Sequence, residues 1–313
     1  MFKDTKSVKK ITRRFSNASI ALKIDVPFKY HPGSVHNEEP GFVFYLDDGQ
    51  LEELKRFIGV VEEQGIEVGK YLVRPAETEV LLYLRFLRAR QFNVQAAIAM
   101  LKEDIEWREK ENVLNILKET PEEILGCPEE WIMRRVPQWV QGFDKVGRPV
   151  IWWEFGNANI EKVLQHTTQE KLGRHHIYLM ETFITKLSEQ SEKLQYNIED
   201  FALVIDAHGW KISYATSDAY NFVKTIVGVD SAHYPERLGK VIVIRAPMAL
   251  ATAWAIIKNW LDPRTRDKIE ILDSDYHEKL FSTVDKDQIG PEYGGTGVSQ
   301  KPKLPPKTKK TKK

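Results

Sequence analysis

Uninterrupted apolar runs of strand length alternate with longer amphipathic stretches from residue 139 onward. That alternation restricts the fold more than any other property of the chain. Phe201-Ala-Leu-Val-Ile205 and Val241-Ile-Val-Ile244 hold no polar residue, and a strand apolar at successive positions must be covered on both faces. Trp139-Val-Gln-Gly-Phe-Asp-Lys-Val-Gly-Arg-Pro-Val-Ile-Trp-Trp153 reads as two strands around a turn at Asp144 and Gly147. The helical period appears in 168–194 and 214–227, and a strand at 269–272 and a helix at 275–284 follow. Buried strands separated by helices argue for an α/β fold with a mainly parallel sheet.

Upstream the pattern is helical only. Asp47-Asp48 opens a helix running to about Gln64, and a second from Thr78 to Arg90 presents Leu81, Leu82, Leu84, Phe86 and Leu87. After Gln91-Phe92-Asn93, a third carries Ala97, Met100, Leu101, Ile105 and Trp107 at helical spacing. The chain thus divides into a basic, largely irregular arm (1–46), a helical subdomain (47–120), an α/β domain (121–297) and a Lys-rich tail (298–313).

Charge is unevenly placed. Residues 1–23 and 301–313 hold 14 of the 46 basic residues and 1 of the 45 acidic ones, which leaves a body of about −12 between two cationic arms. Arms of this kind are attracted to anionic lipid, with about 1 kcal/mol gained per basic residue near the surface. An acidic body without interleaved aromatic and basic residues argues against nucleic acid. Cys127 is the sole cysteine, so no intramolecular disulfide forms. The start has no secretory apolar segment, and the expected location is cytoplasmic with peripheral membrane association.

Within Met248–Leu261 only Thr252, Lys258 and Asn259 are polar. A helix apolar nearly all round is buried or meets lipid. Fourteen residues rise only ~21 Å, short of a bilayer core of ~30 Å, so the segment does not span. The charged, proline-marked segments on either side, His233–Lys240 and Leu261–Lys268, supply hinges and polar ligands. Lipid handling is the reading this combination favours.

Enzyme motifs are missing. The sequence has no Gly-x-Ser-x-Gly, Walker loop or His-Glu-x-x-His, and no metal or organic cofactor is expected. His175 and His176 are adjacent, so a helix aims them in different directions and they make a poor metal pair. Asp206 and His208 read as a strand-end turn rather than a catalytic dyad.

Leu84-Arg-Phe-Leu-Arg-Ala-Arg-Gln-Phe92, Asp144-Lys-Val-Gly-Arg-Pro-Val150, Tyr234-Pro-Glu-Arg-Leu-Gly-Lys240, Leu261-Asp-Pro-Arg-Thr265 and Gly290-Pro-Glu-Tyr-Gly-Gly295 occur in order from about 82 to 297. In this the chain resembles the CRAL-TRIO lipid-transfer family, in its fungal-type phosphatidylinositol-transfer branch. The resemblance implies a helical N-terminal subdomain and a lipid-binding domain whose sheet floors an apolar cavity, closed by a mobile gate helix. It implies bound phosphatidylinositol as ligand, with its head group held by Arg90, Glu236, Thr265 and Lys268. Thr265 and Lys268 stand three apart, as one helical turn requires, and supply a hydroxyl and a cation for the phosphodiester. Glu236 would accept from inositol hydroxyls or orient Lys268. Where relatives carry Lys after the arginine, this chain has Gln91.

The chain departs from the family at the choline site. Hydroxyl-bearing positions of that site fall on Val140, Ile151, Phe201 and Leu203, and burying phosphocholine without partners costs several kcal/mol. The expected function is therefore transfer of phosphatidylinositol between membranes in exchange for a second, less polar lipid such as a sterol, and not for phosphatidylcholine. Presentation of the lipid to a phosphatidylinositol kinase, or carriage of another apolar cargo, would use the same pocket. Exposing two acyl chains of roughly 30 methylenes to water costs on the order of 25 kcal/mol, so exchange needs a gate that opens at the membrane. Leu250, Trp254, Ile257 and Trp260 are its expected membrane-contact residues.

Overall fold

The structure is a computed structural model, described here for residues 26–37, 39–69 and 77–303. The basic arm up to residue 25 and the Lys-rich tail from 304 lie outside the described residues. Contacts divide the chain into two units: residues 1–107 with 195–197, and residues 108–194 with 198–313. The division falls at Trp107/Arg108, where the sequence pattern places a boundary near 120.

The first unit is built on α1 (Asp48–Glu63), α2 (Glu79–Ala89) and α3 (Val94–Lys110), the last turn of α3 belonging to the second unit. Asp47 and Gln50 close a capping box on α1, each side chain accepting from the other's backbone N–H. Thr78 caps α2 by accepting from the N–H of Leu81. From α2, Leu81, Leu82, Leu84, Phe86 and Leu87 meet Leu54, Phe57 and Val61 of α1 and Ala97, Met100 and Leu101 of α3. Two arginines of the 84–92 string are structural. Arg85 lies 2.7 Å from Glu77, and Arg88, buried, stands 4.0 Å over the Phe42 ring.

The second unit contains α4 (Pro121–Leu125), α5 (Glu129–Met133), β1 (Gln138–Phe143), β2 (Pro149–Glu154), α6 (Ile160–Val163) and α7 (Gln169–Leu194). After these come β3 (Phe201–Asp206), α8 (Ser217–His233), β4 (Leu238–Ile244), α9 (Leu250–Ile257), α10 (Pro263–Asp267), β5 (Ile269–Ile271) and α11 (His277–Thr283). The five strands lie in sequence order; β1 and β2 are antiparallel and the remaining pairs parallel. Gly147, at φ +91°, makes the turn between β1 and β2 in a region that L side chains avoid. The mainly parallel α/β sheet read from the sequence is present. The short helices α4, α5, α6 and α10 were not foreseen, and α8 starts three residues later and ends six residues further on than the apolar periodicity places it.

The sheet's two faces are covered differently. On one, Trp139, Val150, Trp152, Ala202, Val204, Ile242 and Ile244 pack against Tyr276 and Leu280 and against Val284, Ile289 and Tyr293, with Trp152 and Tyr293 stacked at 4.5 Å. On the other, Val140, Ile151, Leu203, Val241 and Ile269 form one apolar row across all five strands. Helices cover this second face. Phe183 of α7 meets the Phe201 ring edge-on at 5.9 Å, Phe222 of α8 shares a cluster with Trp153, and Leu250 of α9 packs on Val241 and Val243.

This asymmetry sets the cost of truncation. Leu280→Ala, at a fully buried position on the closed face, is expected to lose about 2–5 kcal/mol in urea unfolding, whereas Ile256→Ala on α9, where the side chain is 43% exposed, changes stability by roughly 0.5 kcal/mol or less.

Candidate functional site

Glu236 lies in the turn between α8 and β4, and the turn is held from both sides. Tyr234 donates its hydroxyl to Glu181 at 3.0 Å, and Arg108 reaches the same carboxylate oxygen at 2.9 Å. Arg237 is buried and donates to the Glu199 carbonyl at 2.9 Å. Behind them, Arg148 bridges Asp144 at 2.6 Å and Asp200 at 3.5 Å, and a Cβ on Gly239 would come within 2.4 Å of Asp200. Fixed in this way, Glu236 adopts φ +59°, a left-handed conformation that costs a non-glycine residue about 1 kcal/mol or more.

The carboxylate of Glu236 meets two cations from the α10 segment. Lys268 Nζ is 3.5 Å from Glu236 Oε2 and donates to the Leu238 carbonyl at 2.8 Å, while Arg264 Nη2 is 3.7 Å from the same carboxylate oxygen. Arg264 and Lys268 are four apart and share a helical face. The basic residues that follow Glu236 in the chain are engaged elsewhere: Arg237 binds the Glu199 carbonyl and Lys240 pairs with Glu270 at 3.6 Å. Thr265 donates its hydroxyl to Asp262 at 2.5 Å, and Asp262 caps α10 by accepting from the Thr265 N–H at 3.0 Å. Burial works against the charged Asp262 carboxylate, but these hydrogen bonds outweigh it and hold the carboxyl below its usual range.

Of the four residues expected at one site, Glu236 and Lys268 are thus in contact, and Thr265 is one turn from Lys268 with its hydroxyl engaged by Asp262. Arg90 belongs to the other unit, at the C-terminal cap of α2, where its guanidinium donates to the Ala89 carbonyl at 3.0 Å. Arg264 was missed. It stands inside the Leu261–Thr265 string, and the signal for it was its spacing from Lys268.

Val140, Ile151 and Leu203 are neighbours in the apolar row on the helix-covered face, and Phe201 lies two residues before Leu203 on that face. No hydroxyl interrupts the row. At its end lies α9. Ala253 alone of its residues is buried, Ile256 is 43% exposed, and Met248 just before it is 93% exposed. Leu250, Trp254, Ile257 and Trp260 are half-buried, with Trp260 edge-on to Tyr220 at 5.9 Å. A helix this apolar would be a core element in most folds, yet here it covers the sheet with one side and shows hydrocarbon on the other. Among the described residues no helix is long and apolar enough to cross a membrane.

Comparison with known proteins decides the family. The N-terminal CRAL/TRIO domain matches residues 37–103, and the CRAL/TRIO domain itself matches residues 133–295. The chain belongs to the CRAL/TRIO family. Its relatives include the CRAL-TRIO domain-containing protein YKL091C of Saccharomyces cerevisiae, 30% identical over 85% of this chain and 84% of that protein. The SEC14 cytosolic factor of Kluyveromyces lactis is 31% identical over 80% and 79%, respectively. The phosphatidylinositol/phosphatidylcholine transfer protein SFH7 of Arabidopsis thaliana is 29% identical over 72% of this chain and 40% of its own length. Among solved structures, that of Sfh5 superposes with a TM-score of 0.59 at 23% identity, covering 75% of this chain and 83% of the other. That likeness concerns the fold.

The CRAL/TRIO domain has a second polar feature, in the cavity lined by α5, β1, α6, α7 and α8. His175 and His176 both line it but have different surroundings. His176 Nε2 is 2.7 Å from Asp230, whereas His175 is buried and its Nε2 has no hydrogen-bond partner. Burial, with a smaller contribution from His176, pushes the His175 pKa down to about 4. Burial likewise raises the Glu129 carboxyl on the cavity wall. Among the described residues no group of three His, Cys, Asp or Glu side chains is placed to hold a metal. Asp206 accepts from the His208 N–H at 2.9 Å, the turn geometry expected of it, and also binds Arg245.

The His175 shift makes stability depend on pH with a defined sign. The imidazole is neutral in the folded state and titrates near 6.5 when unfolded, so nothing is lost above that pH and stability falls as pH drops from about 6.5 towards 4. Between pH 7 and pH 5 urea unfolding should show about 2 kcal/mol less stability on this account, a loss that His175→Leu removes; an equal loss in the variant would refute it.

Proposed function

We propose that this protein binds phosphatidylinositol and transfers it between membranes, exchanging it for a second, less polar lipid and excluding phosphatidylcholine. The observation that carries the reading is the Glu236–Lys268–Arg264 cluster, two cations on one carboxylate in a strained turn beside the apolar sheet face. Two donors of charge-assisted hydrogen bonds suit a phosphodiester, and a carboxylate suits inositol hydroxyls. On phosphate binding, Lys268 would exchange part of its pairing with Glu236 for the ligand's oxygens, while Thr265 turns its hydroxyl from Asp262. Arg90 is assigned to the same head group from the family resemblance. The plant relatives are named for phosphatidylinositol and phosphatidylcholine together. Here the row Val140–Ile151–Leu203 is hydrocarbon throughout, which supports a site for the first lipid and none for the phosphocholine of the second. No cofactor enters this cycle, and the membrane contact is transient.

The gate is α9 with its flanking turns, its exposed hydrocarbon meeting the bilayer and its other side covering the sheet. Leu250, Trp254, Ile257 and Trp260 are the contact residues, with the two tryptophans suited to the interface.

Vesicle assays with labelled phosphatidylinositol or phosphatidylcholine test both claims. The expected result is phosphatidylinositol transfer that drops at least about tenfold in Glu236→Ala, Lys268→Ala, with no phosphatidylcholine transfer by either protein. Efficient phosphatidylcholine transfer would remove the exclusion, and an unimpaired double variant would remove the head-group site. Separately, Trp254→Asp with Ile257→Asp should abolish vesicle binding and transfer while far-UV dichroism is retained; undiminished transfer refutes the gate.

A further inference from the structure

The left-handed backbone of Glu236 has a definite source in the residues on either side of it. Helix α8 ends at His233, and Tyr234 follows as its cap with its N–H on the Asp230 carbonyl. Three residues on, the Arg237 N–H donates to the Tyr234 carbonyl at 3.3 Å, which closes a turn around Pro235 and Glu236. The far end of this turn enters the sheet. There the Phe201 N–H donates to the Arg237 carbonyl at 3.0 Å, and the Arg237 side chain donates to the Glu199 carbonyl. The near end is tied through a side chain. Tyr234, itself buried, donates its hydroxyl at 3.0 Å to Glu181, which lies 53 residues earlier, within α7.

Stability alone gives little reason for Glu181 and Arg108 to be here. Both are buried, and the desolvation of two such charges offsets most of their attraction, so that well-packed hydrocarbon of similar volume often serves as well. What the pair supplies is direction. Arg108 donates to Glu181 and, at 3.2 Å, to the His233 carbonyl, and its guanidinium lies 5.2 Å from the centre of the Tyr234 ring. The tyrosine is therefore located both by its face and by its hydroxyl, whose charged acceptor makes the hydrogen bond one of the stronger kind. The main chain leaving it enters the turn along one path. Lys268 is anchored separately, on the Leu238 carbonyl at 2.8 Å. A Glu236 backbone relaxed to negative φ would carry its Cβ elsewhere and take the carboxylate off that cation.

We propose that Tyr234 is a positioning residue for the lipid head group. Its hydroxyl, seated on the Glu181 carboxylate, keeps Glu236 left-handed and so keeps the Glu236 carboxylate on Lys268 and Arg264. It acts through Glu236 and not by contact with the lipid. The assignment rests on the head-group reading above, since the turn matters to binding only if Glu236 meets the inositol. It deepens that reading by placing part of the affinity in a buried hydrogen bond to the middle of α7. Removing the hydroxyl then weakens binding only while the Glu236 carboxylate is there to be positioned.

The test is a pair of double-mutant cycles on the full chain. In the first, phosphatidylinositol binding from labelled vesicles is measured for wild type, Tyr234→Phe, Glu236→Ala and the two combined. Tyr234→Phe keeps the ring against Arg108 and should weaken binding about tenfold, the worth of one buried hydrogen bond to a charge. In the Glu236→Ala background the same change should cost less than about twofold. Equal losses in the two backgrounds overturn the proposal, because Tyr234 then acts without Glu236. Undiminished binding by Tyr234→Phe beside a weakened Glu236→Ala overturns it too, and leaves the head-group reading standing. The second cycle needs no lipid. Glycine accepts a left-handed backbone that alanine resists, so Glu236→Gly should unfold at higher urea than Glu236→Ala. That advantage should shrink when Tyr234→Phe lets the turn relax, and an advantage of unchanged size overturns the proposal. Wild-type binding by Glu236→Ala would instead remove the head-group reading, and the glycine cycle would still decide whether the Tyr234 hydroxyl sets the turn.

Discussion

Strand order governs the architecture of the α/β unit. Parallel strands laid down in sequence order, each joined to the next by a right-handed crossover, send every connecting helix to one side of the sheet. Contacts of Phe183, Phe222 and Leu250 agree, since all three reach the face that carries the Val140–Ile269 row. The opposite face receives no crossover and is closed by the segment around Tyr276 to Tyr293. One face is therefore sealed by aromatic packing, and the other lies under the helices that join the strands.

The restraints around the apolar face are graded in strength. The turn at Glu236 is tied by Tyr234, Arg237 and the Asp144–Arg148–Asp200 bridge, all of them largely buried. Such a frame holds a left-handed Glu236 that an unsupported turn would relax. The α9 helix has no such frame. It buries Ala253 and touches the sheet through Leu250, with its remaining side chains half-buried or exposed. The braced turn precedes β4 and this more exposed helix follows it. At the strand's C-terminal end Arg245, at φ +54°, is held by Asp206.

Much of this was legible in the residues, for physical reasons that differ by element. The Phe201–Asp206 strand is bounded as expected because an apolar run with no polar interruption has a single way to be covered. Capping chemistry placed α1 and α2 within a residue or two of their ends. The short helices α4, α5, α6 and α10 escaped because four or five residues carry too little periodicity to register, although Asp262 and Pro263 at the head of α10 are ordinary start signals. Glu236 and Lys268 meet as the motif implied. Arg264 was overlooked because a string of charges at a helix start reads as solvated surface until a fold brings a carboxylate to it. His175 was weighed only as a metal ligand beside His176. Its burial depends on α5, α6 and α8 closing around α7, and no local pattern encodes that.

The sequential strand order also has a consequence in time. Because β1 to β5 pair in the order in which they are made, the sheet grows by adding each new strand to an existing edge, with no strand inserted later between two others. Pairings of low sequence separation form early, and domains generally fold in the order of synthesis. The segment that covers Trp152, Val204 and Ile242 is synthesised after every strand, so this face stays open until residues 276–293 have emerged. The nascent protein thus carries an uncovered aromatic sheet face from the emergence of β2 until that segment follows, and that surface, rather than the exposed hydrocarbon of α9, is where a folding chain of this design needs protection from its neighbours.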